Sequence, residues 1–81
     1  MSTNIDATET LDVKGQSCPM PVVETGRAID DLAVGETLEV LATDSGSVSD
    51  LAGWTDATAG VELVAQAEDG DVYIHYVRKT E

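Results

Sequence analysis

The chain is poor in several residue types, and each shortage excludes a class of protein. It has one cysteine among 81 residues, so no disulfide can form within the chain. No apolar run is long enough for a secretion signal or a membrane span. This favours the cytoplasm, where thiols stay reduced. Phenylalanine is absent and the aromatic residues are Trp54, Tyr73 and Tyr76, so the core must be aliphatic.

Basic residues are also scarce, at 4 against 16 acidic residues, which gives a net charge of −12. Tight, direct nucleic-acid binding is not expected, because phosphate contacts need clustered Lys and Arg. The acidic residues are spread along the chain, which argues against an acidic interaction tail. Two interpretations remain: adaptation to high salt, which the scarcity of Lys favours, or a surface for a basic partner. We expect a monomer with no membrane partner.

Hydrophobic residues make up 42 % of the chain, which predicts one folded domain over residues 10–81 after a flexible tail over residues 1–9. Alternating apolar residues predict four strands, over residues 10–14, 37–43, 61–67 and 71–79. Helical spacing predicts one helix starting at Pro21 and a second ending near Gly60. The resulting β-α-β-α-β-β order predicts an α/β two-layer sandwich, with two helices on one face of a four-stranded mixed sheet.

Each predicted helix has an apolar stripe. The first stripe consists of Val22, Gly26, Ile29 and Leu32 or Ala33. We expect Gly26, which lowers helix propensity, to allow a close approach of this helix to the sheet. The second stripe consists of Val48, Leu51, Ala52 and Thr55, with Trp54 on its flank. Ser47 and Asp50 resemble a capping box at the start of that helix.

The segment "CPMP", residues 18–21, places the only cysteine directly before the only two prolines. Pro21 suits the first position of a helix, where a missing N–H costs nothing. Met20 precedes a proline and is disfavoured in a helix, so the helix should begin no earlier than Pro21. Cys18 would then lie just outside the positive end of the helix dipole, which predicts a lowered pKa and a reactive thiolate.

Other roles for Cys18 are possible from the residues alone. It could be a small buried hydrophobic residue, or it could pair with His75 in Cys–His catalysis. His75 alternates with Ile74 and Tyr76, and we expect it to be a solvent-facing sheet residue. One Cys and one His make a poor metal-ligand set, so no metal is expected. With no second cysteine, a solitary activated thiol can still carry sulfur as a persulfide.

The segment from Leu11 to Trp54 resembles the TusA/SirA family of small sulfur-carrier proteins, whose mark is a Cys-Pro-x-Pro motif. The matching residues are "LD" (11–12), Gly15, "CPMP" (18–21), "GETL" (35–38), Asp44, Asp50 and Trp54. The resemblance implies the β-α-β-α-β-β sandwich that the residue pattern also predicts. It further implies that Cys18 accepts persulfide sulfur from a cysteine desulfurase or rhodanese-like donor and relays it to an acceptor.

In the family, acceptor pathways include tRNA thiolation and molybdenum-cofactor synthesis. The residues that the resemblance places at the partner interface are Pro19, Met20, Pro21, Arg27 and Asp44. Met20 stands where the tRNA-thiolation member has a glutamate. The resemblance implies no cofactor other than a transient persulfide on Cys18. The alternatives are a non-catalytic regulatory or interaction module and a single-cysteine redox sensor.

Overall fold

The computed structural model of the protein describes residues 5–81 and contains the predicted order of elements. The elements are β1 (Glu9–Asp12), α1 (Met20–Asp30), β2 (Thr37–Ala42), α2 (Ser47–Ala57), β3 (Val61–Asp69) and β4 (Val72–Lys79). This order confirms the β-α-β-α-β-β prediction. Neither helix of this described range is long and apolar enough to cross a membrane.

The four strands form one mixed sheet, as predicted, and their order across the sheet is β1-β2-β4-β3. β1 is parallel to β2, whereas β4 is antiparallel to both of its neighbours. Because β1 and β2 are parallel, the loops that follow them leave from the same edge of the sheet. Backbone N–H groups of the first loop bind the second strand and its loop: Val13 donates to the Leu41 carbonyl at 2.9 Å, and Gly15 donates to Thr43 Oγ1 at 2.9 Å.

The core lies between the two helices and one face of the sheet. Its buried members are Val13, Ile29, Leu32, Leu38, Val40, Ala42, Leu51 and Val77. The sheet contributes alternate residues of β2, as the period of a half-buried strand requires. The helices contribute Ile29 and Leu51, so both helices pack on the same sheet face and form the second layer of the sandwich.

The buried stripe of α1 differs from the predicted one. Its buried residues are Pro21, Thr25 and Ile29, whereas Val22 is only partly buried. Thr25 can occupy the core because its hydroxyl donates to the Pro21 carbonyl at 2.7 Å. The prediction that Gly26 lets α1 approach the sheet closely is also wrong. A Cβ there would meet Trp54 Cζ2 at 3.6 Å, so α1 approaches α2 at this point and not the sheet.

The predicted capping box of α2 is wrong. The N-cap residue is Gly46, and no side chain caps the helix. Ser47 is instead fully buried and binds His75. The buried stripe of α2 is therefore Ser47, Leu51 and Thr55, and Val48 is 36 % exposed.

Two predicted boundaries, the end of the tail and the hairpin turn, also need correction. The N–H of Thr8 donates to the Thr37 carbonyl at 2.7 Å and Glu9 belongs to β1, so the sheet includes the end of the predicted 1–9 tail. Residues 1–4 of that tail lie outside the described residues. The hairpin turn consists of residues 70–71, not 68–70, because β3 continues to Asp69. Gly70 has φ +61° there.

Candidate functional site

The candidate site begins in the loop between β1 and α1, which presents Cys18. Gly15, with φ +85°, ends the turn after β1, and the Met20 N–H donates to the Ser17 carbonyl at 2.9 Å. The peptide bond between Cys18 and Pro19 is cis. Cys18 is exposed and its thiol is free. The structure thus favours an accessible thiol over the buried hydrophobic alternative.

Helix α1 begins at Met20, one residue earlier than predicted. Pro21 occupies the second helical position, where its missing N–H is also tolerated. The Val23 N–H donates to the Pro19 carbonyl at 3.1 Å, which closes the first turn. Cys18 therefore lies just before the helix, as the proline pattern indicated.

Two carboxylates from the neighbouring loop and helix control the electrostatics at Cys18. Asp50, in the first turn of α2, is the acid with the largest effect on the Cys18 thiol. Hydrogen bonding to the Asp50 carboxylate, local desolvation and the negative charges of Asp50 and Asp44 raise the pKa of Cys18 above its usual value. The prediction of a lowered thiol pKa is therefore wrong for the free protein. The start of α1 favours the thiolate, but Asp44 and Asp50, which both follow β2 in the chain, oppose it.

His75 is not the solvent-facing residue that the sequence predicted. It is fully buried on the helix-facing side of β4, opposite Val40 of β2. Its Nε2 lies 3.1 Å from Ser47 Oγ, and its Nδ1 lies 3.1 Å from Gln66 Nε2. Burial lowers the pKa of His75. Both ring nitrogens are used within the fold, so the Cys18–His75 pairing considered as catalytic is not formed.

The other predicted interface residues fall into two groups. Pro19 and Met20 follow Cys18 directly in the chain, and the negative charge of Asp44, in the loop after β2, acts on the Cys18 thiol. Pro19 is exposed, Met20 is 36 % exposed and Asp44 is partly buried. Pro21 is buried, so it can support the exposed residues around Cys18 but cannot itself contact a partner.

Arg27 lies roughly 10 Å further along α1 than Met20 and pairs with Glu24 at 3.5 Å. It lines a separate groove of about 540 Å³ with Trp54 and Lys79.

Sequence reasoning missed the role of Asp50 at Cys18 and the Ser47–His75–Gln66 chain. The first could have been found, because the predicted parallel pairing of β1 and β2 brings the loops after both strands together. The second depends on which face of β4 meets the helices, and alternation alone leaves that open. In the described chain, no group of three or more His, Cys, Asp or Glu residues could hold a metal ion.

These features define a small two-layer α/β protein with one exposed thiol at a junction between a loop and a helix. Residues 9–79 match the family model described as Sulfurtransferase TusA. The chain therefore belongs to the TusA family.

Similar proteins and a solved structure agree with this assignment. A protein of Halobacterium salinarum named as a candidate sulfur carrier is 74 % identical over 80 residues, which cover 99 % of each chain. The sulfur carrier protein TusA of Allochromatium vinosum is 32 % identical over 75 residues, covering 93 % of this chain and 97 % of that protein. The crystal structure of a SirA-like protein from Desulfitobacterium hafniense superimposes with a TM-score of 0.76 at 25 % identity. That match covers 90 % of this chain and 99 % of the other.

Proposed function

We propose that this protein is a sulfurtransferase of the carrier type, in which Cys18 accepts persulfide sulfur and passes it on. The observation that carries the proposal is the exposed, free thiol of Cys18 at the start of α1 in a chain of the TusA family. The donor is a cysteine desulfurase or a rhodanese-like protein. The acceptor is a protein of tRNA thiolation, molybdenum-cofactor synthesis or another sulfur-trafficking pathway, and the relay takes place in the cytoplasm.

The transfer requires Cys18 to act as a thiolate, the nucleophilic form of cysteine. The thiolate attacks the outer sulfur of the donor persulfide and forms a new S–S bond. The S–S bond of the donor breaks, and its electron pair leaves with the donor cysteine as a thiolate. Cys18 is oxidised to a persulfide while the donor cysteine is reduced. Delivery to the acceptor repeats this exchange, with Cys18 as the leaving group.

Pro19, Met20 and Asp44 are proposed to border the donor because Pro19 and Met20 follow Cys18 in the chain and the charge of Asp44 acts on its thiol. Arg27 would reach the same partner only across a surface that extends along α1. The persulfide is the only group that the protein needs to carry, and no resident cofactor takes part in the exchange.

Persulfide loading tests this proposal. The protein is incubated with a cysteine desulfurase and free cysteine, and its intact mass is then measured without a reductant. We expect a gain of one sulfur atom that maps to Cys18 and is absent in Cys18→Ser. Because the side chain is exposed, the variant should keep the stability of the parent. An unmodified Cys18 after challenge with both a desulfurase and a rhodanese-like donor, while the thiol still reacts with an alkylating agent, would contradict the proposal.

The same variant separates the alternatives. A regulatory or interaction module would keep partner binding in Cys18→Ser. A redox sensor would show reversible oxidation of Cys18, but sensor cysteines usually have a low pKa. The carboxylate of Asp50 shifts the pKa of this thiol in the opposite direction.

A further inference from the structure

The loop that presents Cys18, residues 13–19, is anchored by burial at its two ends but not between them. Val13 is 1 % exposed and packs in the core, and Pro21, just after the loop, is also buried. Every residue from 14 to 19 is exposed. Packing therefore does not fix the position of Cys18 within this loop, and hydrogen bonds must do so.

One hydrogen bond connects the middle of this loop to the segment after the neighbouring strand. The N–H of Gly15 donates to Thr43 Oγ1 at 2.9 Å. Among the described residues, no other backbone N–H of residues 14–19 bonds beyond the loop and the two elements that it joins. The N–H groups of Lys14 and Gln16 bond positions two and three residues earlier in the chain.

The Gly15–Thr43 hydrogen bond extends the pairing of the two parallel strands. The Val13 N–H donates to the Leu41 carbonyl, and two residues further along both segments the Thr43 hydroxyl accepts from Gly15. Gly15 has φ +85°, a conformation that favours glycine. The bond thus joins a turn that requires glycine to a hydroxyl that only Ser or Thr carries so close to the backbone.

We propose that Thr43 is a positioning residue for sulfur acceptance, because its hydroxyl holds Gly15 and thereby fixes the loop that presents Cys18. This proposal rests on the sulfur-carrier function above. Thr43 does not touch the reacting sulfur atoms; it acts through the backbone of the loop.

The physical argument concerns the orientation of the thiol. Cys18 must approach the outer sulfur of the donor persulfide along one direction, and a small misplacement of a reacting atom lowers the rate strongly. Cys18 follows Gly15 by three residues, which is at most about 11 Å of chain. Without the hydroxyl, the Gly15 N–H bonds water instead, and the loop spends less time in the arrangement that presents the thiol. Loss of one such bond changes a local opening equilibrium roughly two- to tenfold.

Three variants isolate the hydroxyl. Thr43→Val removes it and keeps the shape of the side chain, whereas Thr43→Ser keeps it. Thr10→Val is the matched control, because the Thr10 hydroxyl donates to Glu39 Oε1 at 3.0 Å across the same two strands. Glu39 lies four residues before Thr43, about 13 Å away. All measurements use one fixed high KCl concentration, in which circular dichroism shows each protein to be folded.

Hydrogen exchange of the Gly15 amide, measured by NMR, tests the contact without any sulfur donor. The exchange rate should rise roughly two- to tenfold in Thr43→Val. It should match the parent in Thr43→Ser and in Thr10→Val. Equal exchange of this amide in Thr43→Val and Thr10→Val would overturn the proposal.

Single-turnover sulfur loading tests the consequence for transfer. A cysteine desulfurase that carries a persulfide is the donor, and its concentration is varied. The maximal loading rate should fall roughly two- to tenfold in Thr43→Val, with a smaller change in the donor concentration that gives half of that rate. Thr43→Ser should restore the maximal rate, and Thr10→Val should match the parent. The same loss in Thr43→Ser, or no loss in Thr43→Val, would refute a positioning role for the hydroxyl.

The two measurements separate this proposal from the proposed function. If none of the four proteins accepts sulfur at Cys18, the sulfur-carrier function is rejected. Amide exchange then still decides whether the Thr43 hydroxyl holds the loop. If all four proteins load sulfur at the same rate, the function stands and the positioning role of Thr43 is rejected.

Discussion

The buried imidazole of His75 should make the stability of the fold depend on pH. Gln66 Nε2 can only donate, and it donates to the Val48 carbonyl at 2.9 Å and to His75 Nδ1 at 3.1 Å. Nδ1 is therefore the acceptor of the neutral ring, and Nε2–H donates to Ser47 Oγ. A second proton on Nδ1 would face the Gln66 donor and lose that hydrogen bond.

The direction of the effect follows from the lowered pKa of His75, which lies below the ordinary value of 6.5. At acidic pH the unfolded chain binds the proton more readily than the native protein does. The stabilisation is therefore complete well above pH 6.5 and is lost as pH falls. One proton changes the free energy of unfolding by at most about 1.4 kcal/mol per pH unit. The loss at about pH 5.5 is thus at most about 1.4 kcal/mol.

The assay compares the parent with His75→Gln by urea unfolding at about pH 8 and about pH 5.5, at constant salt. Gln does not titrate, and both proteins carry the same 16 acidic residues, so the effects of those residues largely cancel in the difference. The variant should be less stable than the parent at the higher pH. The difference between their free energies of unfolding should become smaller by up to about 1.4 kcal/mol at the lower pH. An equal difference in free energy of unfolding at both pH values would show that the protonation of His75 does not affect stability.

Two further predictions concern residues of α1 and α2. The free energy of unfolding, measured by urea denaturation with circular dichroism, tests both. Gly26→Ala should raise the free energy of unfolding by roughly 0.5–1 kcal/mol, because Ala is the better helix former and its Cβ meets Trp54 at an ordinary 3.6 Å. As a contrast, Gly15→Ala should lower the free energy of unfolding by roughly 1 kcal/mol, because Gly15 has φ +85°. A lower stability of Gly26→Ala would contradict the space that the structure shows beside Gly26. Leu51→Ala should cost roughly 2–5 kcal/mol because Leu51 is fully buried, whereas Val48→Ala on the exposed side of α2 should cost less than about 1 kcal/mol. Similar costs for these two variants would contradict the observed orientation of α2.

The order of elements could be predicted because local patterns report it directly. In β2, Leu38, Val40 and Ala42 alternate with less buried residues, and the structure places all three in the core. The two prolines located the start of α1 to within one residue, since a proline is tolerated only in the first turn.

Details within the elements were harder to predict because they depend on hydrogen bonds between distant segments. Thr25 and Thr55 have polar side chains, yet both are buried, because each hydroxyl bonds a backbone carbonyl one turn earlier. Ser47 looked like a helix cap, but its hydroxyl binds His75 across the core. A hydrophobicity pattern does not distinguish such a satisfied polar side chain from an exposed one.

The sequence alone determined that this protein has one thiol, that the thiol lies outside a helix, and that few cations are available to balance its acids. These properties depend on composition and on neighbouring residues, chiefly the prolines that follow Cys18. Only the tertiary structure decided what surrounds that thiol. Parallel pairing of β1 with β2 brings Asp44 and Asp50 to the edge that holds Cys18, and their negative charge opposes the ionisation that the helix start favours.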